Sequence, residues 1–181
     1  MEAADFFETQ TSKNCSVHSL NNAVGRKIIE PNEVVAAINK RVAKEYLVCG
    51  TECATKLRHL LSHKDTFFAA DAVWEAAISL GRIQKPLSVP GFGGDYAIVM
   101  PWMVNKGVSL IFLGVRKDRS YHATAARDGK FYDSLASPPK AVPLTTQVLA
   151  DQYDQVFAAF RVRESNADAA RGTSRGLRYL S

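Results

Sequence analysis

The chain lacks any apolar run near the roughly 18 residues that would mark a membrane-spanning helix. Its first residues, Met1-Glu2-Ala3-Ala4-Asp5, are acidic and hold no apolar stretch, so they do not read as a secretory signal. Cysteine is scarce: three in all, an odd number, which argues against a disulfide framework and fits a reducing, cytoplasmic or nuclear setting where a thiolate persists. No internal repeat is present. The one glycine-rich stretch, Gly91-Phe92-Gly93-Gly94, lacks the Lys-Ser/Thr of a phosphate loop and precedes a strand-like run. It reads as a loop at a cleft rim, and no cofactor is expected. The net charge of +5 gathers at the C-terminal end, where residues 161–181 hold five arginines against two acids. That concentration argues against a nucleic-acid-binding core.

What is there is ordinary globular material: 46% hydrophobic and 23% charged residues over 181 positions, enough for one domain with a real core. We read residues 1–163 as that domain and 164–181 as a flexible basic tail. Val17, Leu20, Ala23 and Val24 recur at helical spacing after Cys15, with Asn14 as N-cap and Gly25 as stop. Pro31-Asn32-Glu33 opens a second helix. Cys49 to His63 reads as a turn followed by a helix over 55–62, and Phe67 to Leu80 as a further helix. Lys85 to Gly94 reads as a loop. From Tyr96 onward the pattern turns β-like, in residues 97–100, 108–115, 121–126, 130–133 and 156–162. Asp128-Gly129 between two of these runs predicts a hairpin. Helices first and strands later predict an α+β fold.

The chemistry gathers in four residues. Gln10 stands five positions before Cys15, and Cys15 stands at a helix start. A thiol of ordinary pKa about 8.5 becomes a nucleophile when a helix N-terminus and an imidazolium lower it. His122 is the candidate base, and Asp133, on the other arm of the predicted hairpin, its orienter. Gln10 would donate its side-chain amide to an oxyanion, beside the Cys15 N–H. His18, at i+3 from Cys15, competes as base, but it points along the helix into the domain, and packing or a buried hydrogen bond is its expected role.

Cys49, Cys53, His59 and His63 lie close enough in sequence to raise a zinc site. Only five residues separate the Cys and His pairs, where common fingers use about twelve to fold the chain back. Ordinary free residues are the expectation, and no metal is assigned.

Gln10, Cys15, then His18-Ser19-Leu20-Asn21-Asn22 resemble the opening signature of the Josephin family of papain-like cysteine deubiquitinases. Glu30-Pro31-Asn32-Glu33-Val34, Phe67-Phe68-Ala69, Tyr121-His122-Ala123-Thr124 and Phe131-Tyr132-Asp133-Ser134 are similar to its later segments. The resemblance implies a papain-like fold, with a helical first half packed on an antiparallel sheet. It makes Cys15 the nucleophile, His122 the base, Asp133 the orienter and Gln10 the oxyanion donor. It further implies hydrolysis of isopeptide or peptide bonds at the C-terminus of ubiquitin or a ubiquitin-like protein, by a monomer. Three features depart from the family. Residues 82–119 align poorly with it. Residues 43–65 show no clear match to its protruding helical arm, which helps engage ubiquitin, and Ala123 follows the histidine where Trp is common. A host-manipulating enzyme of a virus or bacterium, acting in host cytosol, would fit such a pattern. The alternatives are a papain-like peptidase processing a polyprotein and a non-catalytic ubiquitin-binding module.

Overall fold

Helices come first along the chain and the main sheet follows, so the α+β class is met. The computed structural model describes residues 6–10, 14–63, 67–89 and 107–165. Helices α1 (Cys15–Val24), α2 (Pro31–Leu61) and α3 (Ala70–Ser79) precede a six-stranded antiparallel sheet. Its order is β3 (Leu87–Ser88), β8 (Tyr153–Val162), β4 (Ser109–Arg116), β5 (Tyr121–Arg127), β6 (Lys130–Tyr132) and β7 (Val142–Pro143). A two-stranded ribbon, β1 (Ser62–His63) with β2 (Phe67–Phe68), links α2 to α3, and α4 (Thr146–Gln152) leads into β8. No helix among the described residues is long and apolar enough to cross a membrane.

β4 explains how one sheet serves two layers. Its alternate residues Leu110 and Phe112 face one core cluster, with Leu149 of α4 and Tyr153. Ile111 faces the other, under Leu20 of α1, Val34 of α2 and Val73 of α3. Both faces are buried, so the run reads as continuously apolar and not as alternating. Each fully buried leucine, such as Leu20 or Leu149, contributes about 2 kcal/mol. Arg127, at the end of β5, ties the layers together: it donates to the Asn22 carbonyl at 2.7 Å and to the Tyr132 hydroxyl at 3.0 Å.

Four expectations need correction. The expected turn and helix over 49–63 is instead the second arm of α2, which runs from Pro31 to Leu61 and breaks at Gly50 (φ 81°, ψ −170°), a conformation open to glycine. The break reverses the chain. Arg58 donates to the Asn39 side chain at 2.8 Å, although 19 residues of straight helix would separate them by about 28 Å. α2 is therefore a helical hairpin with its tip at Gly50. Second, the expected helix from Phe67 starts only at Ala70, because the Phe67–Phe68 backbone pairs with Ser62–His63. Aromatic residues suit a ribbon, and apolar mass alone did not separate the two states. Third, Leu87–Ser88, inside the expected loop, pairs with Arg161 and Phe160 at the edge of the sheet. Fourth, α4 was not anticipated, although Thr145 caps it by accepting the Val148 N–H at 3.1 Å. The last strand also begins earlier than expected, at Tyr153. The run at 97–100, the glycines at 91–94 and the tail from 166 lie outside the described residues.

Candidate active site

Local folding brings His122 and Asp133 together. Asp128 and Gly129 both take positive φ (52° and 76°), and Arg127 pairs directly with Lys130, so the turn is the two-residue type that matches strand twist. The register continues to Ala125 opposite Tyr132. One step further, Asp133 would face Thr124, and His122 lies on the diagonal from it, within reach of a polar side chain. The result is a buried contact of 2.8 Å between His122 Nε2 and Asp133 Oδ1. Nδ1 is the ring nitrogen left to serve the thiol.

Cys15 opens α1, which packs across β5. It is buried and is the free cysteine among the described residues. Burial pushes its thiol up, but hydrogen bonding to His122, the imidazolium charge and the Ala123 N–H outweigh that and bring it below its ordinary value. Burial likewise opposes the charged form of His122, yet the Asp133 carboxylate and the Cys15 sulfur raise it to about 9. Asp133 is pushed up by burial and pulled below the usual carboxylate range by His122 and the Leu135 N–H. The three shifts share one physical basis: each charge is stabilised by its neighbour inside a low-dielectric corner. A thiolate–imidazolium pair is the form this corner favours.

Gln10 sits beside the same corner. Its N–H donates to the Ser134 carbonyl at 2.8 Å, and its side-chain oxygen accepts from the Ser134 hydroxyl at 3.1 Å. That contact uses the amide oxygen, so the nitrogen is the end left to donate.

The polar residues after Cys15 build the support for Gln10. Asn22 accepts the Glu8 N–H at 2.7 Å and donates to the Glu8 carbonyl at 3.0 Å, as a neighbouring strand would. Asn21 accepts from Ile28 and Ile29 N–H and donates to the Ile29 carbonyl and the Glu8 carboxylate. His18 is buried with Nδ1 3.1 Å from Glu8 Oε2. Burial pushes Glu8 up, but His18 and Asn21 hold it below the usual range. His18 therefore belongs to the framework of the segment that carries Gln10, as the sequence reading expected.

Gln152 is the residue that sequence reasoning missed. The last residue of α4, it donates its side-chain amide to Asp133 Oδ2. The Thr145 cap could have revealed α4, but no local signal points its end at Asp133.

A groove of about 190 Å³ runs from Cys15 and His122 past Phe68 and Leu113 to Tyr121 and Phe157. The last two rings are exposed and meet edge to face at 6.1 Å. Phe157 gets there through a β-bulge: Leu113 pairs with Ala158 and Gly114 with Val156, leaving Phe157 as the extra residue. A regular strand would turn it to the opposite face; bulges beside clefts commonly re-aim a side chain in this way. A larger depression, of about 440 Å³, lies beside Arg82 and Glu33, which bond to each other, and contains no nucleophile.

The possible zinc residues do not assemble. Cys49 and Cys53 are joined to each other across the break at Gly50, with Cα atoms at 6.0 Å. This corrects the expectation of free cysteines: an odd count is met by one pair plus Cys15. Neither sulfur is then a thiolate ligand, and His59 is exposed. Among the described residues no group of three or more His, Cys, Asp or Glu could hold a metal ion; the His63 side chain lies outside them. The chain matches no protein-family model and no curated protein sequence.

Proposed function

We propose that this chain is a papain-like cysteine hydrolase that cleaves isopeptide or peptide bonds after the C-terminus of ubiquitin or a ubiquitin-like protein. The observation that carries the chemistry is the chain of contacts from Cys15 through His122 to Asp133, with the thiol lowered and the imidazole raised to about 9. In the reaction the Cys15 thiolate attacks the scissile carbonyl. Gln10 Nε2–H and the Cys15 N–H receive the oxyanion, and His122 Nδ1 protonates the leaving amine. Water, deprotonated by His122, then hydrolyses the thioester. Asp133 keeps the ring oriented and its charge balanced throughout.

Ubiquitin as substrate is supported by the Josephin-like residues and by the shape of α2. The hairpin bent at Gly50 is a helical arm, the kind of element that the resemblance implies for engaging ubiquitin. Near its tip Tyr46, Leu47 and Val48 are exposed, and adjacent exposed apolar residues mark contact surfaces. The apolar groove at Tyr121 and Phe157 favours a second reading, a peptidase that takes an apolar side chain near the cut. Ubiquitin carrying a C-terminal propargyl group separates the two. Labelling of wild type, lost in Cys15→Ala, is the expected result. No labelling, while iodoacetamide still alkylates Cys15, would remove ubiquitin and leave the peptidase.

A further inference from the structure

We propose that Gln152 is a positioning residue: it locks the Asp133 carboxylate so that Oδ1 faces His122. The inference rests on the thiol-hydrolase half of the reading above and not on ubiquitin as substrate. Asp133 is 5% exposed, so its oxygens depend on protein donors. Oδ1 accepts from His122 at 2.8 Å and from the Leu135 N–H at 2.9 Å. Oδ2 accepts from Gln152. A carboxylate held only through Oδ1 can swing about its last torsion; the Gln152 amide on the far oxygen removes that freedom.

Among the described residues, the surrounding elements offer no substitute. From β4, Arg116 contributes its charge to Asp133 without a hydrogen bond to it among the described contacts. From β8, the Tyr153 hydroxyl donates to Thr124 at 2.8 Å, and burial holds its phenol protonated far above its usual range. From α1, Cys15 acts on His122. Gln152 is itself well placed. The Thr145 cap fixes one end of α4, and Leu149 and Tyr153, both fully buried, fix the other.

Removing this donor leaves Oδ2 in a dry site. The carboxylate becomes harder to ionise, the imidazolium loses part of its counter-charge, and the thiolate loses part of its own. The pH range holding both Cys15 thiolate and His122 imidazolium therefore narrows from both sides. Gln152→Met keeps the side chain's length and lacks the donor. Gln152→Glu restores a donor only when its carboxyl is protonated.

The test is the pH dependence of Cys15 alkylation by iodoacetamide, which needs no substrate, with a thermal melt for each variant. For Gln152→Met the expected result is a rise of about one pH unit in the thiol ionisation, about tenfold slower alkylation on the acid side, and a melt near wild type. Gln152→Glu should recover relative to Gln152→Met as pH falls. If the Met variant melts early, the acid recovery of Gln152→Glu, nearly isosteric with wild type, carries the test. A Met profile that superimposes on wild type would overturn the proposal, as would equal losses in both variants at every pH, the mark of a packing role. A wild type that ignores the ubiquitin probe but shows the Gln152 shift removes that substrate and supports the positioning role.

Discussion

The corner formed by α1, β5 and β6 and the hairpin of α2 solve opposite problems. In the corner, polar groups are buried inside the chain, and several are bonded there: Asn21 and Asn22 are fully buried with their amides bonded, and His122 and Asp133 hold each other. At the hairpin tip, apolar groups are exposed: Leu47 and Val48 keep 84% and 82% of their surface in solvent. Satisfied buried polar groups fix a geometry to fractions of an ångström, which chemistry needs. Exposed apolar groups contribute nothing to the fold, and under the proposed function they form a contact surface. Under the proposed function, the difference separates turnover in the corner from recognition at the tip. Substitutions in the corner should change rate or stability, and those at the tip should change binding alone.

The hardest test of that separation is Gln10→Ala. Losing one oxyanion donor is expected to lower kcat by about 10²–10³-fold with KM little changed, read in steady-state cleavage of a ubiquitin conjugate. A matching rise in KM would instead place Gln10 in substrate binding. Next is Asn22→Ala, which strips the Glu8 N–H and carbonyl of their partner and should cost about 1–3 kcal/mol in chemical unfolding. A loss near zero would mean that the segment before Cys15 is held by other contacts.

The pH dependence follows from the shifts. The reactive ion pair exists above the lowered ionisation of Cys15 and below that of His122 at about 9, so activity should be bell-shaped, with its alkaline limb near that value. Stability follows the same groups. His122, raised from 6.5 to about 9, contributes fully below 6.5 and loses that contribution as pH rises through 9. Asp133 and Glu8, both depressed, contribute above their ordinary values of 3.8 and 4.5 and lose it as pH falls through their native ones. Thermal melts should thus fall at the acid extreme, while on the alkaline side Cys15, depressed from 9.0, gains stability as His122 loses it, so the pair's two contributions oppose each other. The smallest effect is expected at the tip. Leu47→Ser with Val48→Ser should leave the melt within about 0.5 kcal/mol and raise KM for ubiquitin conjugates several-fold, with kcat retained.

The same two regions divide what was legible in the sequence. The corner was readable because its parts are local: a helix start at Cys15, a two-residue Asp128-Gly129 turn, and strands whose register follows from that turn. Short-range rules set the distance between His122 and Asp133 once the hairpin forms. The α2 hairpin was misread because one glycine decides it. Gly50 looked like punctuation between a helix and a turn, yet helix continues on both sides. Its reversal shows only when Arg58 meets Asn39. The Phe67–Phe68 ribbon failed for a related reason, since its partner Ser62–His63 lies across residues that give no pairing signal.

By itself, then, the sequence determined the helix that presents Cys15 and the hairpin that joins His122 to Asp133. Those depend on interactions between near neighbours, where backbone preference and spacing suffice. Only the tertiary structure decided that α1 lies across β5 so that Cys15 meets His122. It also decided that Ser134 anchors Gln10, that Gln152 closes the far side of Asp133 and that a bulge turns Phe157 into the groove. Each of these joins segments distant along the chain, and their geometry comes from packing two buried faces of one sheet, which no local pattern encodes.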